Sequence, residues 1–142
     1  MASAEILTRS DKETKKLGEV LAREVLSARG LARASAFGGK AIVISLEGEL
    51  GSGKTTFTQG FANGLGVTEN PRSPTFVIMQ IYKLNKFKRP SGIVEFENFV
   101  HVDAYRVGTK DLKILCWREF IKNSKNIILI EWGNKIKNIL PK

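Results

Sequence analysis

Cysteine and histidine are almost absent: the 142-residue chain has one of each, Cys116 and His101. One cysteine excludes an internal disulfide, and one histidine leaves it too few companions for a zinc site. A reducing compartment fits this usage. Cys116, inside LKILCWREF, reads as a small buried apolar residue rather than a nucleophile. Long apolar runs are also missing, since nothing approaches the ~18 residues of a membrane span. The opening MASAEILTRSDKETKK lacks the apolar core of a secretory signal. The expectation is a cytoplasmic protein with no membrane attachment. Acidic residues are few, 14 against 23 Lys and Arg, for a net charge of +9. Residues 1–66 carry nine basic and seven acidic side chains, and residues 67–142 carry fourteen and seven. The surplus therefore lies in the second half, where it would attract nucleic acid or an acidic protein, or simply form a solvated surface. Aromatic residues do not interleave with these lysines as a base-stacking platform requires.

What is present is enough for one domain with a real core. Ser10 and Glu13 have capping-box spacing, and Leu17, Val20, Leu21, Val25 and Ala28 follow at helical spacing until Gly30. LARASAFGGK is a small-residue connector, and AIVISLE is a short β-branched run that reads as a strand buried on both faces. Phe57, Phe61 and Leu65 lie four apart on a second helix that Gly64 and Gly66 end. ENPRSP is a rigid turn and TFVIMQIY a second strand. KLNKFKRPSGIVEFEN, with Pro90-Ser91-Gly92 at its middle, suggests a protruding hairpin. FVHVDAYR holds a strand ending near Asp103, KDLKILCWREFIKN reads as one helix, and NIILIE as another buried strand before WGNKIKNIL. Apolar strands alternating with helices predict an α/β sandwich around a mainly parallel central sheet, flanked by helices.

GELGSGKT matches G-x-x-x-x-G-K-[ST] in full, through Gly48, Gly53, Lys54 and Thr55. The pattern gains meaning from its setting, with AIVISLE before it and TTFTQGF after it. A buried strand delivers the chain to a loop, and the following helix turns its positive end and free amides toward an anion. Lys54 then reaches β and γ oxygens, and the Thr55 hydroxyl suits Mg²⁺. A cradle alone hydrolyses nothing. P-loop chemistry also uses a carboxylate near the metal and a group that positions the attacking water. Asp103 and Glu131 both stand where apolar strands end, which is where the ligand crevice of an open α/β sheet opens.

GELGSGKTTF, RSPTF, HVDAYR and LIEW, in this order and at about this spacing, resemble the bacterial TsaE (YjeE) family. The resemblance runs from KETKKLG nearly to Pro141. Members are small P-loop ATPases of the machinery that makes N6-threonylcarbamoyladenosine in tRNAs reading codons that begin with A. The resemblance implies a P-loop NTPase-like fold with ATP and Mg²⁺ as cofactors. It implies that Gly51, Ser52, Gly53, Lys54, Thr55 and Thr56 form the nucleotide loop, and that Thr14 approaches the nucleotide from the first helix. Thr75 would lie in a switch-like segment near the γ-phosphate, Glu131 would serve Mg²⁺ beside Thr55, and Asp103 would position water. Trp132 would pack against the site or a partner, and Arg106 would meet a phosphate or Asp103. The implied partners are TsaD-type and TsaB-type proteins, whose turnover the ATPase supports, with tRNA touched indirectly if at all. Hydrolysis is then expected to be weak alone and stronger in complex.

Three stretches depart from the family's pattern. Residues 83–98 are longer than usual, and KDLKILCWREF stands where relatives often carry an acidic, glycine-containing stretch. Relatives also commonly continue past the Leu140-Pro141 position into a strand with a basic residue, so a missing strand or a shortened form is expected here. Two other readings share the loop. A nucleotide-dependent switch would use it without significant hydrolysis, and a small P-loop kinase would need an arginine-bearing lid, for which only Arg89 is available in residues 83–98.

Overall fold

The structure is a computed structural model that describes residues 3–27, 39–69, 79–84, 96–105, 111 and 116–141. Helix α1 spans Asp11–Ser27. Its start is capped as predicted: the Glu13 amide donates to Ser10 Oγ at 3.1 Å, and the Glu13 carboxylate reaches back to the Arg9 amide. Strand β1 (Ile42–Leu46) leads through a loop to α2 (Lys54–Gly64). Gly66 (φ 83°) stops α2 in a Schellman arrangement, with Val67 N–H bonded to Ala62 O at 3.0 Å and Gly66 N–H to Asn63 O at 2.9 Å. Then come β2 (Met79–Lys83), β3 (Asn98–Asp103), the short α3 (Trp117–Lys122), β4 (Asn126–Glu131) and a 3₁₀ segment over Gly133–Ile139.

The four strands form one sheet in the order β1-β4-β3-β2. β4 runs parallel to both β1 and β3, while β2 is antiparallel to β3, so the α/β sheet is mixed but mostly parallel. Central placement explains β4: all six of its residues are buried. β1, expected to be buried on both faces, is the outer strand of the described sheet and is only partly covered, with Ser45 exposed. Alternation along the strands builds two cores. On one face Ile42, Phe99, Ile127 and Leu129 pack under Ala22 of α1 and Phe61 and Leu65 of α2. On the other, Val100, Val102, Ile128 and Ile130 pack under Trp117 and Ile136. Burying each such large side chain contributes ~1.5–3 kcal/mol.

Two helices differ from the expectation. The buried face of α1 is centred on Gly18 and Ala22, while Val20 and Leu21 are 44% and 37% exposed. Backbone approach sets this face: a Cβ on Gly18 would lie 2.3 Å from Phe57 O, and one on Gly60 would lie 1.9 Å from Lys15 O. Cys116, expected in the core and inside one long helix, is exposed in a left-handed conformation (φ 57°) at the head of α3. That turn ends any single helix there and sends Trp117 inward instead, where its Nε1–H donates to Ile139 O at 3.3 Å.

Residues 31–38 of the connector, residues 70–74 of the ENPRSP turn, and Leu112 and Leu115 of the expected long helix lie outside the described residues. So does most of the 83–98 stretch, although the strands on either side of it pair antiparallel, as a hairpin requires, and Leu84 N–H donates to Glu97 O at 2.8 Å.

Candidate nucleotide site

The loop between β1 and α2 turns on two glycines in the left-handed region, Gly51 at φ 78° and Gly53 at φ 92°. A side chain at either position would strain the backbone. Gly53 is the N-cap of α2, which has neither a side-chain cap nor an acidic residue in its first turn. The first amides of any helix have no partner within it, so this helix start is open to an anion. Thr14 closes one side: its methyl group is 3.5 Å from where a Cβ of Gly53 would stand, and its hydroxyl shares a 2.8 Å hydrogen bond with Thr8. Thr56 lies half-buried in the first turn of α2.

Lys54 folds its ammonium back onto the loop. It donates to Gly48 O (2.8 Å), Glu49 O (2.7 Å) and Ser52 Oγ (3.0 Å), which matches its three protons. The same ammonium sits 4.1 Å from the centre of the Trp132 ring. Trp132 follows β4 in the left-handed region at φ 63°, a conformation that costs a non-glycine residue ~1–2 kcal/mol. Its N–H donates to Leu46 O at 2.9 Å, and its ring meets that of Tyr105 at 4.9 Å. Lys135 covers the outer side, 4.3 Å above the Tyr105 ring and hydrogen-bonded to Tyr105 O at 2.9 Å.

Beneath the loop lies Glu131, the last residue of β4 and almost fully buried. A buried carboxylate needs partners, and among the described residues it has three. The Thr55 hydroxyl donates to Oε2 at 3.1 Å, the Thr58 hydroxyl approaches Oε1 at 3.3 Å, and His101 Nε2 lies 2.9 Å from Oε1. Asp103 is the register partner of Glu131 across the parallel β3/β4 pair, and its Oδ1 accepts the Tyr105 amide at 3.0 Å. Thr14, Gly51, Ser52, Gly53, Lys54, Thr55, Thr56, Asp103 and Glu131 therefore converge on one end of the sheet. Thr75 and Arg106 lie outside the described residues.

The sequence reading missed His101 and Thr58 as part of this site. The signals were available. Strand alternation in FVHVD puts His101 on the face of Asp103, and Thr58 stands one helical turn after Lys54. Among the described residues, no three or more His, Cys, Asp or Glu side chains are arranged to hold a metal by themselves. The Thr55 and Glu131 oxygens, 3.1 Å apart, nonetheless suit a shared Mg²⁺. Octahedral ligands at ~2.0–2.1 Å from Mg²⁺ stand ~2.9 Å from one another.

A protein-family model described as "Threonylcarbamoyl adenosine biosynthesis protein TsaE" matches residues 8–142. Relatives curated as tRNA threonylcarbamoyladenosine biosynthesis protein TsaE include one from Bacillus subtilis, 36% identical over 107 residues that make up 75% of this chain and 60% of that protein. The Haemophilus influenzae protein is 36% identical over 72% of this chain and 58% of its own length. The Aquifex aeolicus protein is 34% identical over 94% of this chain and 79% of its own. Against the first two, this chain spans less than two thirds of the relative. A match from Thr8 onward that takes in the capped first helix, the glycine loop and the carboxylate beneath it makes this chain a member of the TsaE family.

Proposed function

We propose that this chain binds Mg²⁺-ATP at the β1–α2 loop, hydrolyses it, and thereby supports a TsaB/TsaD-type complex in tRNA threonylcarbamoyladenosine synthesis. The observation that carries the reading is the Thr55–Glu131 hydrogen bond of 3.1 Å, which joins the end of the glycine loop to a buried carboxylate on the central strand. Nucleotide-binding glycine loops gain a hydrolytic site when a carboxylate reaches the metal position from a neighbouring strand. Here β4 neighbours β1 and supplies it.

The residues divide the work by chemistry. The uncapped start of α2 and the Lys54 ammonium take phosphate oxygens, and Lys54 exchanges its contacts with Gly48 and Glu49 for them. Bound Mg²⁺ would neutralise charge on the β and γ oxygens, held from the protein side by Thr55 and Glu131. Asp103, beside Glu131 in register and less buried, would orient a water or take its proton. Trp132, with Tyr105 packed against its ring, covers the ammonium of Lys54 from one side. The relatives' name supplies the beneficiary, a tRNA-modifying pathway. Among the described residues no helix is long and apolar enough to cross a membrane.

The test is Mg²⁺-ATP hydrolysis by the purified chain with and without a TsaB/TsaD-type pair, with Glu131→Ala as control. Stimulation by the pair that vanishes in the variant is the expected result. A flat rate, indifferent to the pair while ATP still binds, would replace hydrolysis with a nucleotide-dependent switch.

A further inference from the structure

His101 is buried at 1% exposure in the middle of the sheet, and its Nε2 lies 2.9 Å from Glu131 Oε1. A carboxylate only accepts, so against Glu131 the Nε2 atom has to carry the hydrogen. A ring with one N–H leaves Nδ1 as an acceptor, and among the described residues buried Nδ1 has no hydrogen-bond partner. An orphaned lone pair is better tolerated there than an orphaned N–H. Geometry, rather than any titration, selects the Nε2–H tautomer.

The second contact to Oε1 is weaker than it looks. Thr58 has one hydroxyl hydrogen and two acceptors, Lys54 O at 2.8 Å and Glu131 Oε1 at 3.3 Å. The shorter bond takes the hydrogen, so His101 is the firm donor to Oε1. Among the described residues, Oε2 accepts from the Thr55 hydroxyl alone. We infer that His101 is a positioning residue: its Nε2–H captures Oε1 and so presents Oε2 of Glu131, as a single oxygen, to the Thr55 side of the site. The inference rests on the proposed Mg²⁺ role of Glu131 and adds what aims that carboxylate. Without the imidazole, Oε1 loses its firm donor and the carboxylate is free to rotate away from the Thr55 side. Residues that orient a ligand from behind typically govern metal affinity by ~10–100-fold.

Because His101 is the only histidine, its imidazole nitrogens can be read directly in the ¹⁵N-labelled chain without metal, nucleotide or turnover. The expected spectrum is that of an Nε2–H ring whose proton resonance shifts or exchanges away in Glu131→Ala. In steady-state ATP hydrolysis, His101→Leu should raise the Mg²⁺ concentration for half-maximal rate by ~10-fold, more than it lowers the rate at saturating Mg²⁺. His101→Gln, whose amide can donate from about the same place, should recover most of that loss and serves if the leucine variant does not fold. A ring protonated at Nδ1, a signal indifferent to Glu131→Ala, or an unchanged Mg²⁺ requirement in both His101 variants would overturn the assignment. Failure of the underlying reading looks different: Glu131→Ala itself would keep the wild-type Mg²⁺ requirement while the spectrum still showed the His101–Glu131 bond. That pattern would remove the metal role of Glu131, and with it the metal half of this inference.

Discussion

Lys54 illustrates how much a single side chain can reveal about binding. All three of its ammonium protons are taken by the loop, and its charge lies against the Trp132 ring. A phosphate has to draw the ammonium off at least one carbonyl, and the distance to the indole changes with it. Saturating ATP should therefore alter Trp132 emission. The other tryptophan, Trp117, packs with the core on the opposite face of the sheet from α2 and should stay silent. The response should survive Trp117→Phe and disappear in Trp132→Phe; persistence in the latter would place the moving charge elsewhere. Thr55 offers a second residue-scale test. Thr55→Ser keeps the hydroxyl that faces Glu131 Oε2 and should keep the hydrolysis rate within a few-fold, whereas the near-isosteric Thr55→Val removes it. Losing metal stabilisation worth several kcal/mol should slow the valine variant by ~10²-fold or more, measured as kcat at saturating Mg²⁺. Equal rates for the two variants would dismiss the hydroxyl from the chemistry. At this scale the sequence pointed to the loop, and to Asp103 and Glu131 as candidates, because each follows an apolar run at a strand end. His101 stayed hidden for a physical reason: a lone histidine in a strand shows its face by alternation but not its hydrogen-bond partner, which comes from β4 across the sheet.

Among the elements, the pairing of α1 with α2 depends on the absence of side chains. Gly18, Gly60 and Gly64 let the two helix backbones approach so closely that a Cβ would meet backbone carbonyls, 1.9 Å away at Gly60 and 2.6 Å at Gly64. Alanine at an open helical position gains ~1 kcal/mol over glycine through propensity. At Gly60 the overlap falls on Lys15 backbone, which cannot swing aside, and overpacking of this kind typically costs ~1–3 kcal/mol or more. Gly60→Ala should thus lower the unfolding free energy by ~1–2 kcal/mol net in denaturant titration, while Asn63→Ala, exposed on the same helix, should not. A stabilised Gly60→Ala would mean the helices stand further apart. This crossing also explains what sequence could show of α1. Its start was legible because Ser10 and Glu13 act within one turn, but its buried face was not, because tertiary contact chose the small residues over Val20 and Leu21. Cys116 failed similarly. Helical periodicity ran through it, and only the left-handed turn that inserts Trp117 decides which of the two neighbours is buried.

For the molecule as a whole, the question is what the charge does. The surplus sits in residues 67–142, and two of its lysines, Lys135 and Lys137, stand on the 3₁₀ segment that follows Glu131 and Trp132. Lys135 is committed to Tyr105, while Lys137 is only 4.0 Å from Glu47 in an exposed pair that contributes little. These two lysines stand on the segment that leaves the same end of the sheet as the glycine loop, which is where a partner that stimulates hydrolysis would have to act. Electrostatic attraction across water is screened within ~10 Å at 0.1 M salt, whereas hydrogen bonds inside the loop are not. The two contributions can be separated on that basis. Raising NaCl from ~0.05 M to ~0.3 M should cut partner-stimulated ATP hydrolysis several-fold at subsaturating partner, mainly through slower association, and leave the rate of the isolated chain nearly unchanged. Lys137→Glu should weaken stimulation at low salt and lose most of that effect at high salt. If salt depresses both rates equally, the charge is acting on the anionic nucleotide rather than on a partner. If salt changes neither, the basic half is an ordinary solvated surface, and recognition of the partner falls to its uncharged contacts.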